Sequence, residues 1–387
     1  MRKTFKYRLL PTKKQLQKLN WTLDKCRILY NSCLLDRKNR YEQTGKGLTR
    51  IKQQGILRVD KKIISSLKEV HSQVLQDVLF RVDRAFQNFF RRVKAGEKPG
   101  YPRFKNEGRY DSFCYPQSGF KITEQGLKLS KIGTLKIKLH RQPVGTIKTC
   151  VIKREIDKWY VCFSVEYEPV KRLIPAQSIG IDVGIKSFAV LSDGTVIDNP
   201  KHLCKSEQKL ISLQRQLSKK KKKSCNRKKA RKIVAKLHCK VCNKRSDFHH
   251  KVSRKLVNNF GFVAVEDLNI KGMVKNHRLA KHISDAGWGQ FLSYLQYKAA
   301  EASVVVEKVS PHYTSINCSV CGEPVPKTLA QRIHSCPFCE TVMDRDHNAA
   351  QNILLKSTAG TAESNAWGEA VHQCPSLNQE ASSIRVR

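Results

Sequence analysis

The chain predicts a multidomain α+β protein, and three features of the sequence carry that prediction. After a short alternating strand, the hydrophobic period runs at three to four residues from 11 to 95, then at two as far as about 170. Beyond that point, strand-like and helix-like segments alternate. Near the C-terminal end a pair of Cys-x2-Cys elements marks a metal-binding module. A length of 387 residues leaves room for two or three domains and at least one proper hydrophobic core.

In order, Phe5, Tyr7 and Leu9 alternate with basic residues and predict a half-buried first strand over 1–10. Residues 11–95 read as helices. Pro11 and Thr12 open the first, Leu16, Leu19, Leu23, Leu29, Cys33 and Leu34 continue it, and Val70, Val74, Val78, Phe86, Phe89 and Phe90 mark a later one. The segment AGEKPGYPRFK, with two Gly and two Pro, ends the helical region. Over 96–172 the stretches LKLSKIGTLKIKLH and IKTCVIKREIDKWYVCFSVEYEP predict antiparallel strands. We expect them to close into a β-barrel with lysines on the outward positions, although an ordinary solvated sheet has the same pattern.

From 173 to 310, SIGIDVGIKSFAVLSDGTVID reads as strand, turn, strand, Asp-Gly turn and strand. A basic helical stretch follows from about Lys205 to Asn259. Then come the apolar strand FGFVAVEDL, the amphipathic helix WGQFLSYLQYKAAEAS and the strand VVVEKV. The cysteine elements occupy 311–340, and a last helix starts near Asp346 within 341–356. The polar remainder, 357–387, predicts a disordered tail.

Charge narrows the partner. The chain has 74 Lys plus Arg against 32 Asp plus Glu, a net +42. Such a chain repels itself unless neutralised, and nucleic acid is the polyanion best matched to it, because phosphate neutralisation releases counterions. In KKKKKSCNRKKARK (219–232), ten of 14 residues are basic. A solvated hairpin has that composition, but the flanking leucines and valines suggest paired helices presenting a nucleic-acid surface. No apolar run reaches the length of a membrane span and the N-terminus lacks a signal-peptide core, so a membrane partner is excluded and a cytoplasmic, nucleoid-associated protein is expected.

Two kinds of metal site are legible. Cys318-x2-Cys321 and Cys336-x2-Cys339, 14 residues apart, make two knuckles that complete a tetrahedral, structural zinc site. Cys239-x2-Cys242 with His249 and His250 invites a second site, yet it lies inside a helical pattern. His312 and His334, near the knuckles, read as solvent or nucleic-acid contacts. The other kind is made of acids. Asp182 sits mid-strand between Gly180 and Gly184, which leave space around it; Glu266 ends an apolar strand; Asp346 starts a helix. Taken singly, each fits a cap, a turn or a surface position, and Asp267 and Asp344 compete with the last two. Together, in so basic a chain, they can chelate two magnesium ions for phosphodiester chemistry.

GIDVGIKSFAVLSDG, VAVEDLNIKG, the two Cys-x2-Cys knuckles and DRDHNAAQNIL, in that order, resemble the TnpB family, as do YRLLPTKKQ, AFQNFFRRVKAGEKPGYPRFK, NKRSDFHHKVS and SDAGWGQFLSYLQYKAA. The resemblance covers most of residues 1–356. TnpB proteins are insertion-sequence-encoded, RNA-guided DNA endonucleases related to type V CRISPR effectors. The resemblance implies a wedge β-barrel (1–10 with 96–172), an inserted helical recognition domain (11–95), and an RNase H-like RuvC nuclease (173–310 and 341–356). The zinc knuckles (311–340) are then an insertion that binds target nucleic acid.

It further implies that Asp182, Glu266 and Asp346 are the catalytic triad holding two Mg2+ ions and that one structural Zn2+ fills the knuckles. Arg332 would stabilise the transition-state phosphate, and Gln76 would face the duplex beside the target. The implied partners are a guide RNA from the element end and target double-stranded DNA next to a short adjacent motif. Two alternatives stay open: a nuclease-silent RNA-guided DNA-binding repressor, and an autonomous RNase H-like transposase. TSINC stands where the family often has TSQxC, a departure that leaves the acids untouched.

Overall fold

The computed structural model describes residues 1–169, 173–328 and 330–365, which fall into two compact units, Met1–Pro169 and Val170–Arg387. The disordered tail predicted for the end of the chain lies, from 366 on, outside the described residues.

In the first unit, strand β1 (Arg2–Leu10) leads into helices α1 (Lys13–Thr44), α2 (Arg50–Ile63), the short α3 (Ser65–Lys68) and α4 (Ser72–Lys94). Thr12 and Gln15 close a reciprocal capping box on α1, and Gly45 ends it in the left-handed region at φ 65°. Six strands follow: β2 (Ser112–Tyr115), β3 (Phe120–Thr123), β4 (Gly126–Leu129), β5 (Gly133–Lys138), β6 (Thr146–Glu155) and β7 (Lys158–Glu166). β1 sits centrally, antiparallel to both β7 and β5, so the chain's first residues join strands from the unit's end. One core runs from the sheet (Tyr7, Phe113, Phe163) into the helices (Leu19, Leu34, Leu75, Leu79).

The expected closed barrel is not formed. The sheet is seven-stranded and open, in the order β2-β6-β7-β1-β5-β4-β3. Helix α4 supplies the physical reason. Its Arg81 Nη1 donates to the Ser112 carbonyl of β2 at 2.7 Å. Its Gln73 Oε1 accepts the backbone N–H groups of Gln117 and Ser118 between β2 and β3. Side-chain bonds from a helix thus occupy backbone groups around the edge that a barrel would join by a ladder.

The second unit is built on β8 (Ser178–Val183), β9 (Ser187–Leu191) and β10 (Val196–Asp198). A basic pair of helices follows, α5 (Glu207–Ser218) and α6 (Cys225–Asn259), then β11 (Phe262–Glu266), α7 (Ile270–Met273), α8 (Ala280–Ala286), α9 (Trp288–Ala302) and β12 (Val305–Val309). The chain ends with a small hairpin, β13 (Ile333–Ser335) and β14 (Val342–Asp344), and with α10 (Arg345–Asn365), which runs past the expected end at 356. The sheet order is β10-β9-β8-β11-β12, with β8, β11 and β12 mutually parallel and β9 and β10 antiparallel. Ile179, Ile181, Val263 and Val265 pack against Leu256, Phe291 and Leu295 on one face; Ala264, Val309 and Ile353 pack on the other. Helices therefore cover both faces, α6 and α9 on one and α10 on the other, in a RuvC-like α/β arrangement. No helix among the described residues is long and apolar enough to cross a membrane.

Candidate active site and metal centre

Strand alternation assembles the acids. Side chains alternate between the two faces of a strand, and Ile179, Ile181, Val263 and Val265 all enter the α6–α9 core. Gly180, Asp182, Ala264 and Glu266 must therefore face α10. β8 and β11 are parallel, with Ile181 opposite Val265, so Asp182 and Glu266 follow on neighbouring strands. Asp346 lies in the first turn of α10, above that face. The helix lies close because of Gly180: a Cβ there would stand 2.1 Å from the Ala350 carbonyl oxygen. The space that Gly180 leaves is filled by α10, so this glycine works by letting Asp346 approach Asp182.

The competing acids are separated by their partners. Asp344 Oδ1 accepts from the backbone N–H of Asp346 at 2.8 Å and of His347 at 3.3 Å, so Asp344 is the helix cap. Asp267 is exposed and pairs with Lys308 at 2.8 Å. Glu266 instead accepts the Thr314 hydroxyl at 2.6 Å. Asp346 is held by the Arg345 guanidinium at 3.1 Å, and Arg332 stands 3.8 Å from its other oxygen. Arg345 is a site residue that reading the sequence missed; its adjacency to Asp346 was the available signal.

Burial raises the Asp182 carboxyl to about 8, and the charges of Glu266 and Asp346 push in the same direction. Burial also raises Glu266, with the Thr314 hydrogen bond and Lys356 opposing it. Three neighbouring carboxylates, two of which disfavour the charge on Asp182, form a donor set suited to hard, oxygen-seeking dications, so magnesium fits the residues present. The acids neighbour one another without closing on one point. Among the described residues, only Cys318, Cys321, Cys336 and Cys339 form a set of three or more metal-ligating side chains that could hold one ion.

Those cysteines are brought together as their spacing predicts. All four Sγ atoms lie within 4.8 Å of one another. The two knuckles are alike. The Gly322 N–H returns to the Cys318 carbonyl, and the Glu340 N–H to that of Cys336. Gly322 and Glu340 both take positive φ, at 82° and 58°. The chain thus offers a four-thiolate metal site.

The second candidate cluster is not assembled. Cys239 and Cys242 lie on the continuous helix α6; His249 is buried with Nε2 2.8 Å from the Ala286 carbonyl, and His250 stacks on Tyr294. His334, expected at the surface, is fully buried with Nδ1 against the Lys327 ammonium. Gln76 is exposed on α4, in the first unit.

Comparison with known proteins decides the family. Over 94% of this chain and 91% of the relative, the sequence is 35% identical to a Streptomyces pristinaespiralis protein provisionally named an RNA-guided DNA endonuclease. The chain belongs to the TnpB/Cas12f1-like family. Another member, from Escherichia coli K12 and provisionally named RNA-guided DNA endonuclease InsQ, is 32% identical over 98% of this chain and 97% of its own. Family models described as "Probable transposase", "Cas12f1-like, TNB domain" and "Helix-turn-helix domain" match residues 162–277, 288–353 and 1–46. In the last span the fold is a strand followed by one helix. A solved complex of Cas12f1 with sgRNA and target DNA is similar in fold, with TM-score 0.58 and 16% identity, covering 89% of this chain and 83% of that one.

Proposed function

We propose that this protein is an RNA-guided DNA endonuclease of a transposable element, cutting DNA that matches its guide and lies beside a short adjacent motif. The observation that carries the reading is that Asp182 and Glu266 stand on neighbouring strands of the RuvC-like sheet, with Asp346 in the first turn of the helix that packs on the same face, in a chain related over nearly its whole length to a protein provisionally named an RNA-guided DNA endonuclease. These three acids would hold two magnesium ions. The chemistry that such ions would supply there is activation of a water and stabilisation of the leaving 3′ oxygen of a phosphodiester.

The chain's own residues do the remaining work. Arg345 and Arg332 place positive charge beside Asp346, where a scissile phosphate must lie, and Arg332 would be the phosphate-stabilising group. Zinc in the four-cysteine site would fix the insertion that precedes α10. In the first unit, 1–10 with 96–172 would act as the wedge and 11–95 as the recognition helices. Gln76 would face the adjacent-motif duplex, where a side-chain amide can read adenine. The net charge of +42 neutralises guide RNA and target strand together. Such a protein would work at the nucleoid, where its target DNA lies.

The test is to purify the protein with its RNA and sequence that RNA. A discrete species, from the 3′ flank of the gene, is expected. Random cellular RNA would contradict guide dependence. A matched plasmid bound but uncut, with magnesium present, would favour the repressor reading instead.

A further inference from the structure

Glu266 is the one proposed catalytic acid whose carboxylate is held by a neutral side chain, and that side chain belongs to the segment leading into the cysteine knuckles. Thr314 is buried, with 3% exposure, and its hydroxyl lies 2.6 Å from Glu266 Oε1. The Thr314 hydroxyl oxygen also stands 3.0 Å from the Pro311 carbonyl. A hydroxyl has one proton to donate, and the shorter, charge-assisted contact is the one to the carboxylate.

Thr314 is in turn held by α10. The buried Asn352 amide donates to the Thr314 carbonyl at 2.9 Å and to the Asn317 carbonyl at 2.7 Å. One turn earlier, Asn348, fully buried, donates to the Asn317 carbonyl at 2.8 Å and accepts the Ser319 N–H at 2.9 Å. These asparagines lie four residues apart on one face of the helix whose first turn carries Asp346. They grip residues 314–319 on both sides of Cys318. One hydrogen-bonded latch thus connects the Asp346 helix, the first knuckle cysteine and the Glu266 carboxylate.

We propose that Thr314 is a positioning residue of the nuclease centre. It orients Glu266 for a divalent cation, and the Asn348–Asn352 latch fixes Thr314 to the helix that carries Asp346. The proposal rests on the endonuclease reading above. It also gives the cysteine module a second task, since the segment it anchors reaches the catalytic acid.

The experiment compares wild type with Thr314→Val, which keeps the shape and removes the hydroxyl, and Thr314→Ser, which restores it. Each full-length protein is assayed for cleavage of a guide-matched plasmid across a magnesium titration, for binding of the same DNA, and, without nucleic acid, for Mn2+ uptake by electron paramagnetic resonance. Orienting partners of metal ligands contribute about tenfold to hundredfold in affinity or activity. The Val variant is expected to need about tenfold more magnesium and to take up Mn2+ more weakly, with DNA binding and thermal midpoint unchanged; the Ser variant is expected to recover. Wild-type cleavage and Mn2+ uptake by the Val variant would overturn the proposal. So would a loss that Ser does not rescue or that follows a fallen thermal midpoint. Asp182→Ala, run alongside, separates the two readings: cutting that survives it refutes the active-site assignment itself, whatever Thr314 does.

Discussion

Two sets of sequestered charge, one in each compact unit, are built in opposite ways. In the first, Arg37, 8% exposed, is paired: its guanidinium donates to Gln53 at 2.8 Å and Asp83 at 3.0 Å, and the Gln53 amide goes on to the Cys33 carbonyl. Glu155 is clasped by Lys6 and Lys153, and hydrogen bonds from both help hold its carboxyl below the ordinary range despite burial. In the second unit, Asp182 faces two further carboxylates and is raised to about 8. A charge buried with its partner is structural; like charges buried together weaken the fold until something outside the chain neutralises them. The first arrangement joins neighbouring elements of the fold, and the second is the one to which the proposed magnesium ions would bind.

Substitutions at the acids should break this contrast most strongly. Asp346→Ala should lower guide-matched plasmid cleavage on the order of a thousandfold, about 4 kcal/mol in transition-state terms. Asp344→Ala should instead cost about 1 kcal/mol of stability through a lost helix cap, with cleavage nearly intact. Equal losses of cleavage in the two variants would remove the distinction between catalytic acid and cap.

Next in size is Gly180→Ala. A methyl group 2.1 Å from the Ala350 carbonyl must displace α10, and overpacking of this kind costs about 1–3 kcal/mol or more. Thermal unfolding should show the loss, and cleavage should fall with it. In the first unit, Asp83→Ala strands a nearly buried guanidinium, and we expect a loss of about 2 kcal/mol in denaturant unfolding, reduced from a fully buried pair because Asp83 is partly exposed. Its effect on cleavage should follow stability alone.

The smallest effect sharpens the comparison through pH. The folded Asp182 carboxyl titrates near 8, far above its ordinary 3.8. Between those values the native state keeps a proton that the unfolded chain has released, so the magnesium-free protein loses stability as pH rises through that window. Asp182→Asn removes the loss. In magnesium-free buffer it should raise the thermal midpoint by a few degrees at pH 7.5 and by less at pH 5. A midpoint lower than wild type at pH 7.5 would mean that Asp182 is paired rather than repelled.

Only the acid side of this contrast was legible in the sequence, for identifiable reasons. The Gly and Asp-Gly turns around Asp182 and the continuous apolar run before Glu266 put both acids on strands, and the Cys-x2-Cys spacing set four thiolates on one point. The barrel was misread because alternation says which residues face inward and nothing about whether the end strands meet. Here the bonds from Gln73 and Arg81 that hold that region come from α4, remote in sequence. Gly180 was read as room for the acid beside it, since no local pattern announces a helix from residue 345 onward lying against it. Thr314 escaped because its role depends on a contact that only the folded chain makes, whereas Arg345 was overlooked although it adjoins Asp346 in the sequence.

The most direct measurement is cleavage of a guide-matched supercoiled plasmid by wild type and Asp182→Ala, each loaded with the same guide RNA in magnesium. Wild type should linearise the matched plasmid and spare a mismatched one, while the alanine variant binds the matched site and leaves it supercoiled. Linear product from the Asp182→Ala protein at a rate near wild type would contradict the account.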